Sequence, residues 1–232
     1  MSSLEWREGN LPISAQFDDP YYSIEDGRAE TSHVFIKGND LPTRWQSMDH
    51  CVIAELGFGT GLNFLETVYQ WQNQKKANAS LHFISFELFP LDSKDLTRAL
   101  SAWPELKNLA KRLAELWNGQ APSCEFAPEI QLTVHFGDAN ALLPTCNFKA
   151  DSWYLDGFSP AKNPELWNET LMAEVGSHTV ADGTFATYTA AGFVKRNLQG
   201  AGFEVQKTKG FGRKRDMLIG KLANDIHVAT GY

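Results

Sequence analysis

The sequence predicts an α/β fold, a doubly wound and mostly parallel seven-stranded sheet with an antiparallel edge strand, plus a small N-terminal β extension. Three observations predict it. From residue 51 to about residue 221, short apolar runs of strand type alternate with segments of helical periodicity, the pattern of a parallel sheet covered by helices. A glycine turn, Gly57-Phe58-Gly59-Thr60-Gly61, separates the first of these strands from the first helix. Four successive strands then deliver an acid to their carboxyl ends, Glu55, Glu87, Asp138 and Asp156, where open α/β sheets bind their ligands.

Taken in order, residues 1–48 read as an extension with short strands. Phe17-Asp-Asp-Pro-Tyr-Tyr22 and Ile24-Glu-Asp-Gly27 carry turn signals, and His33-Val-Phe-Ile-Lys37 has the composition of a short strand. Small hairpins leading into the main sheet are expected. Tyr21, Tyr22 and His33 are candidates either for packing or for substrate contact.

The first core strand, from Cys51, is followed by a helix over about 61–75, with Leu62, Phe64, Leu65 and Val68 at helical spacing. Leu81–Glu87 reads as the second strand. Asp92 is placed to cap a helix reaching about Trp103, and Pro104 starts an amphipathic helix from Glu105 to Trp117, with Leu106, Leu109, Leu113 and Leu116 on one face. Residues 118–129, with Gly119, Pro122 and Pro128, read as a loop. Ile130–Phe136 and Ser152–Asp156 are the third and fourth strands. A helix over about 164–176, a strand Gly183–Tyr188 and a helix over 190–200 follow. Phe203–Lys207 and Met217–Lys221 close the sheet as a strand pair.

Composition narrows the function classes. The chain has 232 residues, 43% of them hydrophobic, enough for a sizeable core. MSSLEWREGN carries no apolar leader, and no run approaches membrane-spanning length, which gives a cytoplasmic expectation with no membrane partner. Cys51, Cys124 and Cys146 are widely spaced without a CxxC pair, so neither a disulfide framework nor a metal site is expected. The net charge is −7, but seven of the 21 basic residues fall between Lys195 and Arg215 beside one acid, Glu204. An acidic body with one basic end fits an enzyme acting on RNA as well as it fits a chance cluster on a solvated face.

The glycine turn discriminates between ligands. Glycine removes the Cβ, and the following helix aims its free N–H groups at the same place. A dinucleotide fingerprint reads GxGxxG, whereas the third glycine here is Gly61, and Glu55 stands two residues before Gly57. An acid there repels a pyrophosphate and attracts an ammonium or a sulfonium; S-adenosylmethionine carries both. Gly57, Phe58, Gly59, Gly61 and Asn63 are therefore candidate cofactor-binding residues with Glu55. Glu87 is placed to accept from ribose hydroxyls, Asp138 from an adenine amino group, and Phe89 to pack on the ring.

Asp156-Gly-Phe-Ser-Pro160 is the candidate reacting centre, and Asp156 is also a candidate cofactor-binding residue. A strand-end carboxylate can hold an amine and take its proton while Phe158 packs on a flat base. Lys195, Arg196, Phe211, Arg213, Lys214 and Arg215 are candidates for substrate or RNA contact.

Several strings together carry a family resemblance: Glu55-Leu-Gly-Phe-Gly-Thr-Gly-Leu-Asn-Phe64, Phe83-Ile-Ser-Phe-Glu-Leu-Phe-Pro90, Tyr154-Leu-Asp-Gly-Phe-Ser-Pro-Ala-Lys-Asn-Pro164, Thr189-Ala-Ala-Gly-Phe-Val-Lys-Arg196 and Lys209-Gly-Phe-Gly-Arg-Lys-Arg-Asp-Met217. Across nearly its whole length the chain resembles the bacterial MnmC/MnmD family. The resemblance implies a class I S-adenosylmethionine-dependent methyltransferase fold over 49–223, with 224–232 as a tail. It implies methylation of the exocyclic amine of 5-aminomethyl-2-thiouridine at the tRNA wobble position. It further implies that Asp156 serves the substrate amine, that Arg213, Lys214 and Arg215 face the anticodon loop, and that an FAD-dependent oxidoreductase is a fused or separate partner. Other readings of the same residues are an N-methyltransferase of a small amine or a protein, a non-catalytic RNA-binding module, and a nicotinamide-dependent dehydrogenase, the last opposed by the glycine spacing.

Overall fold

Glycine-closed turns and apolar strands place the first βα unit at the centre of the sheet. The computed structural model describes residues 4–7, 10–23, 26–117 and 123–223. Parallel strands β4 (His50–Leu56), β5 (Ser80–Glu87), β7 (Ile130–Phe136), β8 (Ala150–Leu155) and β9 (Thr179–Thr187) lie in the order β9-β8-β4-β5-β7. Their apolar side chains alternate between two buried faces, as a sheet covered on both sides requires. Ile53, Phe83 and Leu132 pack on one face with Phe64, Leu65 and Val68 of helix α3 (Leu62–Gln74) and with Leu113 of α5 (Lys107–Leu116). Ala54, Ile84 and Trp153 pack on the other with α7 (Glu169–Ser177) and α8 (Gly192–Gly200), through Leu171, Val175, Val194 and Leu198. The chain leaves β4 toward β5 on one side and later returns as β8 on the other, so the topological switch point falls between β4 and β8.

Among the described residues the sheet has eight strands rather than the expected seven. Within the span expected as a loop, Ser123–Ala127 forms β6, antiparallel to β7 with an irregularity between Glu125 and Ala127. Its outer residues are polar and only Phe126 is buried, so an edge strand of this composition carries little apolar alternation for a sequence reading to detect. At the other edge the closing pair, β10 (Phe203–Lys209) and β11 (Asp216–Leu222), is a hairpin. Here β11 inserts antiparallel between β9 and β10, leaving β10 outermost. At this edge the antiparallel strand thus lies one place inside, whereas at the opposite edge the antiparallel β6 is outermost.

The N-terminal region departs further from expectation. Strands β1 (Leu4–Arg7), β2 (Leu11–Ser14) and β3 (Asp19–Pro20) make a three-stranded sheet of their own instead of leading into the main one. His33–Lys37, expected as a strand, is helical: α1 (Gly27–Thr31) runs into a π-helical stretch, Ser32–Lys37. Asp26 starts this helix by accepting from the Ala29 N–H at 3.0 Å, and Val34, Phe35 and Ile36 are all buried. A short apolar run buried on every side has no period to reveal its class, and the cap decides it. The expected turn at Ile24–Gly27 and the tail 224–232 lie partly and wholly outside the described residues.

Arg44, in the short helix α2 (Leu41–Arg44), ties this region to the sheet. Its Nη1 donates to Ser152 Oγ at 2.6 Å and Thr184 Oγ1 at 2.7 Å, and its Nη2 to the Asp151 carbonyl at 3.0 Å. Hydrogen bonds from a charged donor contribute more than neutral ones. Arg44→Met is expected to lower the unfolding free energy by roughly 1–3 kcal/mol, measured as a reduced urea midpoint with unchanged slope. An unchanged midpoint contradicts the anchoring role.

Candidate active site

The register of β4 against its neighbours brings the chemistry-bearing residues together. Leu56 pairs with Leu155 and with Phe86, so the segments after β4, β5 and β8 emerge side by side. Gly57, at φ +90°, passes so close to the next segment that a Cβ would stand 3.2 Å from the Gly157 Cα. Only glycine fits this left-handed conformation under that backbone without strain. Gly61, at φ +76°, forms the N-terminal boundary of α3, and a Cβ there would meet Leu113 at 2.8 Å.

These segments surround a cavity of about 620 Å³. Gly57, Phe58, Gly59 and Asn63 border it, as do Glu87, Phe89 and Asp138 on one side and Asp156, Phe158, Phe211, Arg213 and Lys214 on the other. Glu55 and Gly61 do not line it; they sit behind its wall. Lys195 and Arg196 lie on α8, and Arg215 follows the rim residues, all three outside the lining. Phe58 turns its ring inward, stacked on Trp117 at 5.0 Å. Phe158 stacks on Phe17 at 4.7 Å and meets Tyr21 edge-on at 5.1 Å. Tyr21 and Tyr22 line the cavity, whereas His33 does not: its ring bonds the Lys209 carbonyl at 2.9 Å.

Buried carboxylates organise the wall. Glu55 is fully buried; it accepts from Ser85 Oγ at 2.7 Å and from Asn63 Nδ2 at 2.9 Å. The same Asn63 amide donates to Asp156 Oδ2 at 2.8 Å, while its Oδ1 accepts from the Thr31 hydroxyl at 2.6 Å. Ionised carboxylates only accept, which sets the amide NH2 toward them and the amide oxygen toward Thr31. Asp156 Oδ1 accepts from the Gly157 N–H at 2.8 Å. Glu87 accepts from the Gly59 N–H at 2.8 Å and the Phe89 N–H at 2.7 Å, so it shapes the glycine turn. Each of its oxygens keeps a further lone pair for a hydroxyl. Asp138 caps a short helical turn, accepting from the Asn140 N–H at 2.9 Å.

Burial pushes the Glu55 carboxyl up to about 8 and Asp156 to about 7, against the donated hydrogen bonds that lower them. Burial also raises Glu87, opposed by its two backbone N–H donors. A wall of desolvated carboxyls favours a cationic ligand, because a positive charge recovers the cost of ionising them. The bare glycine turn, the remaining acceptor capacity of Glu87 and the aromatic Phe89 fit the nucleoside portion of such a ligand. Among the described residues, no group of three or more His, Cys, Asp or Glu could hold a metal ion, and no helix is long and apolar enough to cross a membrane.

The sequence reading passed over Glu30, Thr31 and Tyr188, which the fold brings to the same place. Tyr188 donates its hydroxyl to the Gly157 carbonyl at 2.9 Å. Glu30 and Thr31 arrive because α1 packs on α3. The signal that announces α1 is Asp26-Gly-Arg-Ala-Glu30, an N-cap residue ahead of helix formers.

Comparison with known proteins agrees with this geometry. The model of a family described as S-adenosyl-L-methionine-dependent methyltransferase matches residues 104–223. The chain is 48% identical over 227 residues to the tRNA 5-methylaminomethyl-2-thiouridine biosynthesis bifunctional protein MnmC of Methylobacillus flagellatus, a match covering 95% of this chain and 35% of that protein. It is 45% identical to the protein of the same name from Aliivibrio fischeri, covering 94% of this chain and 34% of that one. The chain therefore spans about a third of the length of these curated relatives. Among solved structures, MNMC2 from Aquifex aeolicus shares the fold with a TM-score of 0.76 at 24% identity, covering 97% of this chain and 72% of that one. The family model covers just over half of the chain, and this chain belongs to the S-adenosyl-L-methionine-dependent methyltransferase family.

Proposed function

We propose that the chain methylates the exocyclic amine of 5-aminomethyl-2-thiouridine at the wobble position of tRNA, giving 5-methylaminomethyl-2-thiouridine. The observation that carries this reading is the position of Asp156. It is a half-buried carboxyl near neutrality in its titration, opening into the same cavity as the glycine turn, with Arg213 and Lys214 on the rim. The names of the curated relatives, which refer to biosynthesis of that nucleoside in tRNA, support the choice of acceptor over a small amine or a protein.

In this reading Gly57, Phe58, Gly59 and Asn63 line the cofactor seat, and Glu55 and Gly61 support them from behind. Glu87 accepts from the ribose hydroxyls, Phe89 packs on the adenine, and Asp138 accepts from its amino group. When bound, S-adenosylmethionine supplies a methyl carbon on a sulfonium, whose transfer to nitrogen leaves a neutral thioether. The acceptor arrives as a primary ammonium and must lose one proton before its lone pair is available. Asp156 holds the nitrogen and takes that proton on its carboxylate. Phe158, fixed by Phe17 and Tyr21, packs on the uracil and keeps water from the reacting nitrogen. Arg213, Lys214 and Arg215, with Phe211, meet the anticodon loop, and Lys195 and Arg196 extend the basic surface along α8. Residues 49–223 serve as the methyltransferase domain, 1–48 as its N-terminal extension and 224–232 as a tail. A fused or separate FAD-dependent oxidoreductase is the partner that supplies the amine, in the cytoplasm.

Labelled methyl transfer from S-adenosylmethionine to tRNA carrying 5-aminomethyl-2-thiouridine, followed by nucleoside analysis, tests the assignment. Label is expected in the methylaminomethyl nucleoside. Because the base form is the ionised carboxylate, kcat/KM is expected to rise with pH through about 7. Asp156→Asn is expected to lower turnover by roughly a hundredfold or more and to remove that inflection, with S-adenosylmethionine binding weakened but not lost. No label despite cofactor binding, or full turnover in the variant, overturns the reading.

The rim makes a separate prediction. Reversing charge with Arg213→Glu and Arg215→Glu is expected to weaken tRNA binding and flatten its dependence on salt, the slope falling by about 0.7–0.9 for each phosphate no longer neutralised. An unaltered slope places the RNA elsewhere.

A further inference from the structure

The turn between β10 and β11 folds back over the cavity, and it delivers Lys214 to its rim. Two backbone hydrogen bonds hold that turn: the Gly210 N–H to the Arg215 carbonyl at 3.2 Å and the Lys214 N–H to the Phe211 carbonyl at 3.0 Å. The Lys214 ammonium lies 2.7 Å from Glu30 Oε1 and 4.0 Å from the centre of the Tyr188 ring. The partners differ in exposure. The Glu30 side chain is 13% exposed, whereas that of Lys214 is 44% exposed. The Tyr188 ring is fixed through its hydroxyl to the Gly157 carbonyl, one residue from Asp156. The Asp156 carboxyl feels both charges of the pair, raised by Glu30 and lowered by Lys214.

A carboxylate and an aromatic face converging on one point make a seat for an ammonium. The group now in that seat is a primary ammonium on a methylene, the same chemistry that an aminomethyl acceptor presents. We propose that Glu30 and the face of Tyr188, beside Asp156, form the recognition site for the acceptor's ammonium, and that Lys214 is a resident cation which the acceptor displaces. This rests on the reading of the reaction as methylation of a primary amine.

The exchange trades one cation for another, so the largely buried Glu30 keeps a counter-charge as the acceptor enters. The long, half-exposed Lys214 side chain can turn outward, where an RNA phosphate offers it a new counter-charge. The arrangement also separates two tasks. Glu30 selects a positively charged acceptor, and Asp156 then removes its proton. A neutral methyl or hydroxymethyl substituent offers nothing to displace Lys214, so an unaminated uridine is refused without any steric device.

The test uses nucleosides, which lack the phosphates that Lys214 would also contact. The whole chain, saturated with the demethylated product S-adenosylhomocysteine to prevent turnover, is titrated by NMR with 5-aminomethyluridine and with neutral 5-methyluridine. Glu30→Gln is expected to weaken the cationic nucleoside roughly ten- to a hundredfold and leave the neutral one unchanged. Lys214→Met is expected to tighten the cationic nucleoside several-fold, since no competing ammonium remains, again without effect on the neutral one. Equal changes for both nucleosides, weaker cationic binding in Lys214→Met, or no binding of the cationic nucleoside in that variant overturns the proposal. Methyl transfer to tRNA distinguishes the two levels. An unchanged KM in Glu30→Gln sinks the ammonium seat and leaves the methyltransferase reading standing. Failure of the wild-type chain to methylate amine-bearing tRNA sinks that reading, while charge-selective nucleoside binding remains independently measurable.

Discussion

One side-chain amide holds this site together. Asn63 Nδ2 donates to Glu55 and to Asp156, carboxylates from the ends of two adjacent strands, and Thr31 fixes the amide from its other side. Each contact depends on a different part of the fold: β4 for Glu55, the segment after β8 for Asp156, α3 for Asn63 and α1 for Thr31. Two like charges sharing a buried site raise each other's cost of ionisation, and a donor between them is what allows both to stay there. The glycine turn serves this arrangement as much as it serves a ligand. Gly57 lets β4 run close beneath Gly157, and Gly61 lets α3 begin soon enough to point Asn63 at both acids.

From this follows the electrostatic character of the cavity. Its carboxyls are desolvated and supplied with hydrogen-bond donors, and Lys214, half-exposed at the rim, is the cation that acts on Asp156. Such a wall is costly for the protein alone and favourable with a cation bound. The stability linkage has a definite sign: a carboxyl titrating near 8 in the folded state, against the usual 4.5, stabilises the fold fully below about 4.5. That contribution is lost as pH rises to about 8. Stability given up in the empty site is recovered as affinity when a sulfonium or ammonium enters.

Much of this was legible in the sequence because it follows chain-local rules. The strand–glycine–helix unit around Gly57, Gly59 and Gly61 and the acids at the strand ends are short-range patterns, and the structure brings Glu87, Asp138 and Asp156 to one cavity. What escaped depends on distant packing. Glu55 reads as a ligand-facing acid, but Asn63 and Ser85 claim both its oxygens behind the wall. Tyr188 and Glu30 carry no local mark of a site and meet only because β9 and α1 converge near Gly157. The helix around Val34 and the edge strand around Phe126 were misread for opposite reasons, one being buried on every side and the other hardly at all.

The account stands on the claim that these carboxyls are built to receive a positive charge. Calorimetry of S-adenosylmethionine binding at pH 7, in two buffers of different ionisation enthalpy, tests it most directly. A cation entering beside Asp156, with Glu55 behind the wall, lowers the titration of these carboxyls, so the bound state must hold fewer protons. The account predicts release of roughly half a proton or more per ligand, with affinity rising with pH between about 6 and 8. Identical enthalpies in both buffers, or net proton uptake, would contradict it.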